Sequence, residues 1–287
     1  MALEGTAHTE MPHVQAEGRT LYAESFGLEG DPALLLISGL GSQLISYSED
    51  FCKAFVDRGF FVIRMDNRDV GLSTYFEEGD EYSLSDMAED CVAVLKHFGA
   101  VPAHIFGFSM GGMIAQTMAI EHPDKVISLI SGASRTGHPE FGRASDEANK
   151  ALLQPEATTR EQFIADRLAG KHIWGTPDTW HEEDMTRAYE EAWDRGQSPG
   201  AGRRQMAAIA ASGDREGGLA KLDLPALVIH GGADPLIDSS GGQRTAEVIP
   251  GATYVEIEGM GHDIPITELP HIVSLITTHV AQAESAR

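Results

Sequence analysis

One segment of the chain reads AHIFGFSMGG (residues 103–112) and links two different hydrophobic patterns. Its first six residues are a short apolar run that predicts a buried strand, and residues 110–121 predict a helix. Ser109 lies at the tight turn between them, with Gly107 and Gly111 two positions away on either side. Such a turn strains the backbone and requires small neighbours, because larger side chains would collide with the strand and the helix. The segment therefore predicts a nucleophilic serine.

Apolar runs without alternation lie on both sides of this segment and predict strands that are buried on both faces. Because helical spacing separates most of these runs, we predict an α/β fold with a mostly parallel, doubly wound sheet. A loose tail (1–11) and two short strands around the turn 17–19 come first. The other predicted strands are 33–38, 60–65, 103–108, 125–131, 224–231 and 252–259, and the helices are 46–58, 84–98, 110–121, 238–248 and 264–283.

The alternation is interrupted once, over residues 135–217, which are rich in Glu, Arg, Ala and Trp. No run typical of a buried strand occurs there, and helices are predicted at 160–170 and 182–195. The chain is therefore expected to divide into a first core part (1–134), a helical cap (135–217) and a second core part (218–287).

The balance of charge is acidic, with 44 Asp and Glu against 21 Lys and Arg in 287 residues. A surface this negative repels phosphate groups, so neither nucleic acid nor an anionic membrane is an expected partner. Cys52 and Cys91 are expected to be buried free thiols, because two cysteines make no disulfide framework. No signal peptide and no apolar window long enough to span a membrane are recognised, which favours a cytoplasmic protein.

A serine hydroxyl needs a general base, and the base is expected on a loop after the last strand. His262 lies there, in GMGH (259–262), where glycines let the loop bring the ring over the serine. The acid that orients the histidine is assigned to Asp234, which follows the strand ending at His230. Asp238 is the nearest rival but is expected to cap the next helix, and His230 is expected to bind a backbone group.

Two backbone N–H groups are needed to bind the oxyanion that forms during acyl transfer. Met110 follows the nucleophile and supplies the first of them. The second is assigned to Leu40, in the glycine-rich loop SGLGS (38–42) that follows an early strand. Aromatic residues of the predicted cap are candidates for lining the substrate pocket or for packing the cap against the core: Phe163, Trp174, Trp180 and Trp193.

Over residues 13–283 the chain resembles the α/β-hydrolase superfamily, in which the nucleophile, the acid and the histidine follow one another in this order. The insertion at 135–217 is similar to the helical cap that many members carry. Residues 65–73 (MDNRDVGLS) resemble the Asp-x-Arg-x-x-Gly-x-Ser segment after the fourth strand. The Arg68-Asp69 pair in this segment, together with the Gly-Met-Gly-His and Ala-Asp-Pro motifs, is similar to the aclacinomycin methylesterase group.

The resemblance implies that Asp66 and Arg68 hold loops in place and take no part in catalysis. Two departures stand out. Many members have glycine where this chain has Asp69, and many have His-Gly in the oxyanion loop, where Ser38 takes the histidine position here. The second change leaves the backbone N–H donors in place. Which groups hold the loop without the histidine side chain stays open.

Taken together, the residues and the resemblance predict a serine carboxylic-ester hydrolase that works through an acyl-enzyme. Its expected substrate is a small to medium, partly apolar ester, with a methyl ester as one candidate. No metal or cofactor is expected, since metal-binding motifs and a phosphate-binding loop are not recognised. A lactonase, a carbon–carbon bond hydrolase and a cofactor-free perhydrolase stay open, as does a non-catalytic ligand receptor on a hydrolase scaffold. A monomer or homodimer is expected.

Overall fold

A computed structural model describes residues 13–287, so the predicted tail (1–11) lies outside the described residues. Eight strands form one sheet in the order β1-β2-β4-β3-β5-β6-β7-β8. β1 pairs antiparallel with β2, and β2 pairs antiparallel with β4. The six strands β4-β3-β5-β6-β7-β8 are all parallel to one another. The strands are β1 (His13–Ala16), β2 (Arg19–Phe26), β3 (Ala33–Ile37), β4 (Phe61–Met65), β5 (Ala103–Phe108), β6 (Val126–Gly132), β7 (Ala226–Gly231) and β8 (Thr253–Ile257).

Helices cover both faces of the sheet, as the alternating pattern predicts. On one face, α2 and α3 pack against Leu35 and Ile37 of β3, while α1 and α10 pack on the other face against Leu34 and Leu36. The helices are α1 (Glu49–Val56), α2 (Leu84–His97), α3 (Met110–Glu121), α4 (Asp146–Leu152), α5 (Arg160–Trp174), α6 (Glu182–Arg195), α7 (Ala201–Ser212), α8 (Glu216–Leu219), α9 (Ser240–Val248) and α10 (Leu269–Ser285).

Helices α1 and α10 begin three or more residues later than the hydrophobic spacing predicts. The segment predicted as a helix at 46–58 forms a short 3-10 turn and then α1, whose first turn is capped by the Ser48 hydroxyl. The last helix begins at Leu269 rather than at 264. Pro265 explains this difference, because a proline disfavours helical geometry in the residue before it and cannot continue a helix.

Five helices, α4 to α8, lie between β6 and β7 and are called the inserted helices below. The described residues of this segment contain no strand. α8 spans the predicted boundary at 217, and it contacts the core through Gly218, which lies against Ile120 of α3. Glu216 of α8 also pairs with Arg244 of α9 at 2.7 Å. The exact domain limits therefore stay predictions.

Both cysteines are buried and free, as predicted. Burial raises the pKa of the Cys52 thiol to about 12, so this thiol is a packing group at neutral pH. Within the described residues, no helix has the length and apolar character needed to cross a membrane.

Candidate active site

Ser109 occupies the sharp turn between β5 and α3, with φ 58° and ψ −121°. This left-handed conformation is unfavourable for a residue with a side chain and persists only where packing enforces it. Side chains at the two flanking glycines would meet backbone atoms. A Cβ on Gly107 would meet Gly111, and one on Gly111 would meet the carbonyl of Ile37. The small residues thus let strand and helix approach closely enough to hold the serine at the turn.

The structure brings Ser109, His262 and Asp234 into one hydrogen-bonded chain. Oγ of Ser109 lies 2.9 Å from Nε2 of His262, and Nδ1 of the same ring lies 2.6 Å from Oδ2 of Asp234. Asp234 follows β7 and His262 follows β8, and these neighbouring parallel strands place the two loops side by side. This is the arrangement of nucleophile, base and orienting acid that acyl transfer requires.

The environment of Asp234 keeps its carboxylate ionised. Burial acts to raise its pKa, but the charge of His262 and hydrogen bonds from His230, His262 and the Ile237 amide outweigh burial and lower the pKa well below its usual value. His230 also binds the carbonyl of Ile237 at 2.8 Å, which confirms the predicted backbone contact. The rival Asp238 instead accepts hydrogen bonds from the amides of Ser240 and Arg143.

The loop that carries His262 is attached to the C-terminal end of α5. The amide of His262 donates to the Trp174 carbonyl at 2.6 Å, and the amide of Gly261 donates to the Thr176 hydroxyl at 2.9 Å. Asp263 accepts hydrogen bonds from the Thr176 hydroxyl and amide and pairs with Lys171 of α5. The inserted helices thus help to set the position of the histidine.

The loop 38–42 lies beside the serine, where an oxyanion-binding loop is expected. A Cβ built on Gly39 would lie 3.1 Å from Cβ and 3.6 Å from Oγ of Ser109. Leu40 is the next residue in this loop, and Met110 is the first residue of α3. The role of their amides as oxyanion donors stays a prediction.

The inserted helices also brace this loop, which explains how it is held without the usual histidine. The Gly41 amide donates to Oε1 of Gln205 on α7 at 2.7 Å, and the Gly41 carbonyl accepts from Arg167 on α5 at 2.8 Å. From the core, the side-chain amide of Asn67 donates to the Ser38 carbonyl at 3.0 Å. The amide and the carbonyl of Gly41 are therefore both held by side chains of the inserted segment.

Asp66 and Asp69, in the loop after β4, each bind an arginine of the inserted segment. Asp66 accepts from the amides of Leu44 and Leu72, which fits its predicted loop-holding role, and also from Arg195 at 2.5 Å. Asp69 accepts from Arg204 at 2.5 and 3.0 Å. The residue that replaces glycine at position 69 thus holds α7 against the core.

Arg68 also has the predicted structural role. Its guanidinium donates to Oδ2 of Asp90 and to the carbonyl of Asp86, both at 2.6 Å, and its side chain is fully buried. These bonds tie the loop after β4 to α2.

The four aromatic residues predicted for the pocket lie in different surroundings. Phe163 and Trp193 pack against each other between α5 and α6, with ring centroids 5.5 Å apart. Trp180 packs against His172 on α5. Trp174 lies at the end of α5, and its indole covers Gly170. Contact of any of them with a substrate stays a prediction.

Several residues of the site were missed by sequence reasoning. Thr176, Gln205 and Arg167 lie in helical or turn sequence without a motif, so no local pattern distinguishes them. Asp263 did carry a signal, since it directly follows the predicted catalytic histidine. Among residues 13–287, no group of three or more His, Cys, Asp or Glu side chains is arranged to hold a metal ion.

The chain matches a known protein family and several known proteins. The model of the alpha/beta hydrolase fold family matches residues 32–269. The chain belongs to this family. It is 26% identical to the rhodomycin D methylesterase DauP of Streptomyces sp. strain C5 and 28% identical to DnrP of Streptomyces peucetius, with 92% of this chain and 96% of each relative covered. These two matches support the predicted similarity to the methylesterase group.

Among solved structures, the enol-lactonase from Burkholderia xenovorans LB400 superposes with a TM-score of 0.74 at 23% sequence identity. The superposition covers 94% of this chain and 100% of the enol-lactonase chain. This likeness shows the α/β-hydrolase fold.

Proposed function

We propose that this hydrolase cleaves carboxylic esters through a serine acyl-enzyme. The observation that carries the proposal is the hydrogen-bonded chain from Ser109 through His262 to Asp234, at distances of 2.9 and 2.6 Å. A serine oxygen within hydrogen-bond reach of an oriented imidazole is the arrangement that activates a hydroxyl as a nucleophile.

In the proposed reaction, Oγ of Ser109 attacks the ester carbonyl while Nε2 of His262 takes the hydroxyl proton. The ionised Asp234 stabilises the imidazolium and keeps the ring oriented. The amides of Leu40 and Met110 donate hydrogen bonds to the oxyanion. His262 then gives its proton to the leaving alcohol, and the same ring activates the water that releases the acid. No step in this scheme requires a metal or a cofactor.

The favoured substrate is a methyl ester of a small to medium, partly apolar acid. Support comes from the two relatives named as rhodomycin D methylesterases, which match this chain over 92% of its length. A lactonase, a carbon–carbon bond hydrolase and a perhydrolase would use the same three side chains, and hydrolysis of the corresponding substrates distinguishes them.

The first test compares the parent protein with Ser109→Ala on p-nitrophenyl esters from acetate to octanoate. We expect the substitution to lower kcat by about 10⁴–10⁶-fold. Ser274→Ala on α10 is the matched control, since Ser274 is exposed and should leave kcat unchanged. Full activity in Ser109→Ala would contradict the assignment of the nucleophile. If the parent protein hydrolysed no ester or lactone but bound one of them tightly, the result would instead favour a non-catalytic ligand receptor.

We further propose that the protein works in the cytoplasm on a small molecule, as a monomer or homodimer and without nucleic acid. The net charge of −23 supports the proposal that nucleic acid is not a partner, because such a surface repels polyanions. Light scattering after size-exclusion chromatography would determine the oligomeric state.

A further inference from the structure

Helix α5 passes beside the reacting serine and contacts the loops on both of its sides. At the end of α5, the Trp174 carbonyl accepts from the His262 amide at 2.6 Å. Seven residues earlier, Arg167 donates to the Gly41 carbonyl at 2.8 Å. Seven residues of helix extend about 10 Å, so this part of α5 bridges the space between the histidine loop and the oxyanion loop, with Ser109 between them.

Arg167 lies on the face of α5 that is turned toward the core. The buried residues of α5 are Phe163 and Gly170, and Arg167 is four residues after the first and three before the second. Residues at these spacings share one helix face. The guanidinium also lies over the ring of Phe163, 5.0 Å from its centroid. Its side chain therefore projects toward the loop 38–42 of the core, not toward the outer surface.

The donors of Arg167 are mostly unused. A guanidinium has five N–H groups, and within residues 13–287 the only hydrogen bond of Arg167 goes to the Gly41 carbonyl. It forms no ion pair with a carboxylate in the described part of the chain, and its unpaired nitrogens are not sealed from solvent. The unpaired N–H groups therefore retain access to solvent. Desolvation lowers the pKa of Arg167, although the charges of Tyr189 and Asp166 act to raise it, and neither group forms a direct ion pair with the guanidinium.

A second polar group near Arg167 belongs to α6. α5 and α6 pack antiparallel, with Arg160 paired to Asp194 and Phe163 packed against Trp193. Tyr189 therefore lies opposite Arg167, one turn further along.

The hydroxyl of Tyr189 has no hydrogen-bond partner among the described residues, and it remains accessible to solvent. Desolvation raises the pKa of Tyr189, the charge of Arg167 acts to lower it, and Asp263 acts to raise it. The charges of Arg167 and of the residue that follows His262 thus both act on this hydroxyl.

We propose that Arg167 and Tyr189 form a subsite for a carboxylate group carried by the ester substrate, at a position remote from the reacting carbonyl. This inference rests on the proposed esterase function and names the substrate class: esters or lactones with a free carboxylate. A guanidinium binds a carboxylate through two parallel hydrogen bonds, and the tyrosine hydroxyl supplies a third donor. The ligand would provide the counter-ion that Arg167 lacks in the described structure.

The test compares two series of methyl esters of matched length by titration of the acid released. Monomethyl succinate, glutarate and adipate carry the free carboxylate, and methyl butyrate, valerate and hexanoate do not. We expect the parent protein to have a higher kcat/KM for the best charged ester than for its uncharged counterpart. Arg167→Met should lower the ratio of the two kcat/KM values by about 10- to 100-fold, and Tyr189→Phe by about 3- to 10-fold.

Two control variants separate this subsite from other effects. Arg187→Met removes the same charge from an exposed position on α6 and should leave the ratio within about 2-fold. Arg167→Lys keeps the charge without the planar fork and should retain part of the ratio. If Arg167 only braces the oxyanion loop, Arg167→Met will lower kcat/KM for both series equally, and the unchanged ratio overturns the inference.

Failure of the proposed function has a different signature. In that case the parent protein would hydrolyse neither these methyl esters nor the p-nitrophenyl series. The subsite is then tested by calorimetric titration of Ser109→Ala with monomethyl adipate, which needs no turnover. Binding that Arg167→Met weakens about 10-fold or more supports the subsite, whereas equal binding with and without this second substitution contradicts it.

Discussion

The backbone amide of His262 donates a hydrogen bond to the backbone carbonyl of Trp174 at 2.6 Å, so the histidine loop and the end of α5 are held together. The Thr176 hydroxyl strengthens this connection by accepting from the Gly261 amide and donating to Asp263. We expect Thr176→Val, which removes only the hydroxyl, to lower kcat by about 10-fold, because small displacements of a catalytic group are costly. KM should change by less than about 2-fold, as measured by steady-state ester hydrolysis.

Thr278→Val, at an exposed position of α10, is the matched control for this variant and should leave kcat unchanged. If Thr176→Val kept the parent kcat, the hydroxyl would have no part in positioning the histidine.

Gln205 couples α7 to the proposed oxyanion loop (38–42). It is fully buried, accepts from the Gly41 amide at 2.7 Å and donates to the Arg68 carbonyl at 3.3 Å. Gln205→Leu leaves both backbone groups without a partner, and each such group costs about 1–3 kcal/mol. We expect a lower melting temperature and a kcat reduced by about 10-fold, since the Leu40 amide beside Gly41 would lose its fixed position. Gln282→Leu, at an exposed position of α10, should change neither. An unaltered kcat in Gln205→Leu would argue against this coupling.

Asp69 stabilises the contact between core and inserted helices at the expense of backbone strain. Its φ is 72°, and its carboxylate binds Arg204, Ser198 and Tyr82. Asp69→Gly relieves the strain but leaves a largely buried arginine unpaired, so we expect the free energy of unfolding to fall by about 2–3 kcal/mol in urea titrations. Asp178→Gly is the control, because Asp178 has φ 58° but is exposed. That variant should be as stable as the parent or slightly more stable.

An unaltered urea midpoint in Asp69→Gly would show that its ion pair with Arg204 contributes nothing net to stability. A loss of similar size in Asp178→Gly would mean that the change to glycine itself, rather than the missing carboxylate, is destabilising.

His279 makes the stability of the fold sensitive to acid. Desolvation lowers its pKa to about 4, and the charge of the neighbouring His104 acts in the same direction. In the unfolded chain a histidine titrates near 6.5, so the unfolded state binds more protons between these values and stability is lost as pH falls from about 6.5 to 4. The parent should lose up to about 2 kcal/mol more between pH 7 and pH 5 than His279→Gln does.

Denaturant titrations at both pH values measure this difference. The exposed His271→Gln on the same helix should behave like the parent. An identical loss of stability in His279→Gln and the parent would assign the acid sensitivity to other groups.

Much of the sheet could be predicted because its strands carry local patterns. A run such as ALLLI in β3 is apolar on both faces, which few structures other than a covered parallel strand can accommodate. Ser83 and Gly99 flank α2 as expected, and the Ser83 hydroxyl accepts from the Asp86 amide in a capping box. The turn at Ser109 was predictable for the same reason, since its steric demands are met by adjacent glycines.

Contacts between the inserted helices and the catalytic loops could not be predicted. Gly41 and Gln205 are 164 positions apart, and Asp69 and Arg204 are 135 apart, so no periodicity relates them. Such pairs depend on how α5 to α7 are oriented on the sheet, which hydrophobic spacing alone leaves undetermined. The start of α10 was mispredicted for a local reason, because its apolar spacing continues through a proline that prevents helix formation.

The attachment of α5 and α7 to both catalytic loops has a consequence for engineering. Exchange of the inserted helices for those of another family member would remove the partners of Gly41, Asp69 and Asp263 together. A chimaera made in that way would inherit an intact serine turn but loosely held histidine and oxyanion loops. Recombination of specificity within this family therefore has to transfer these contact positions along with the helices.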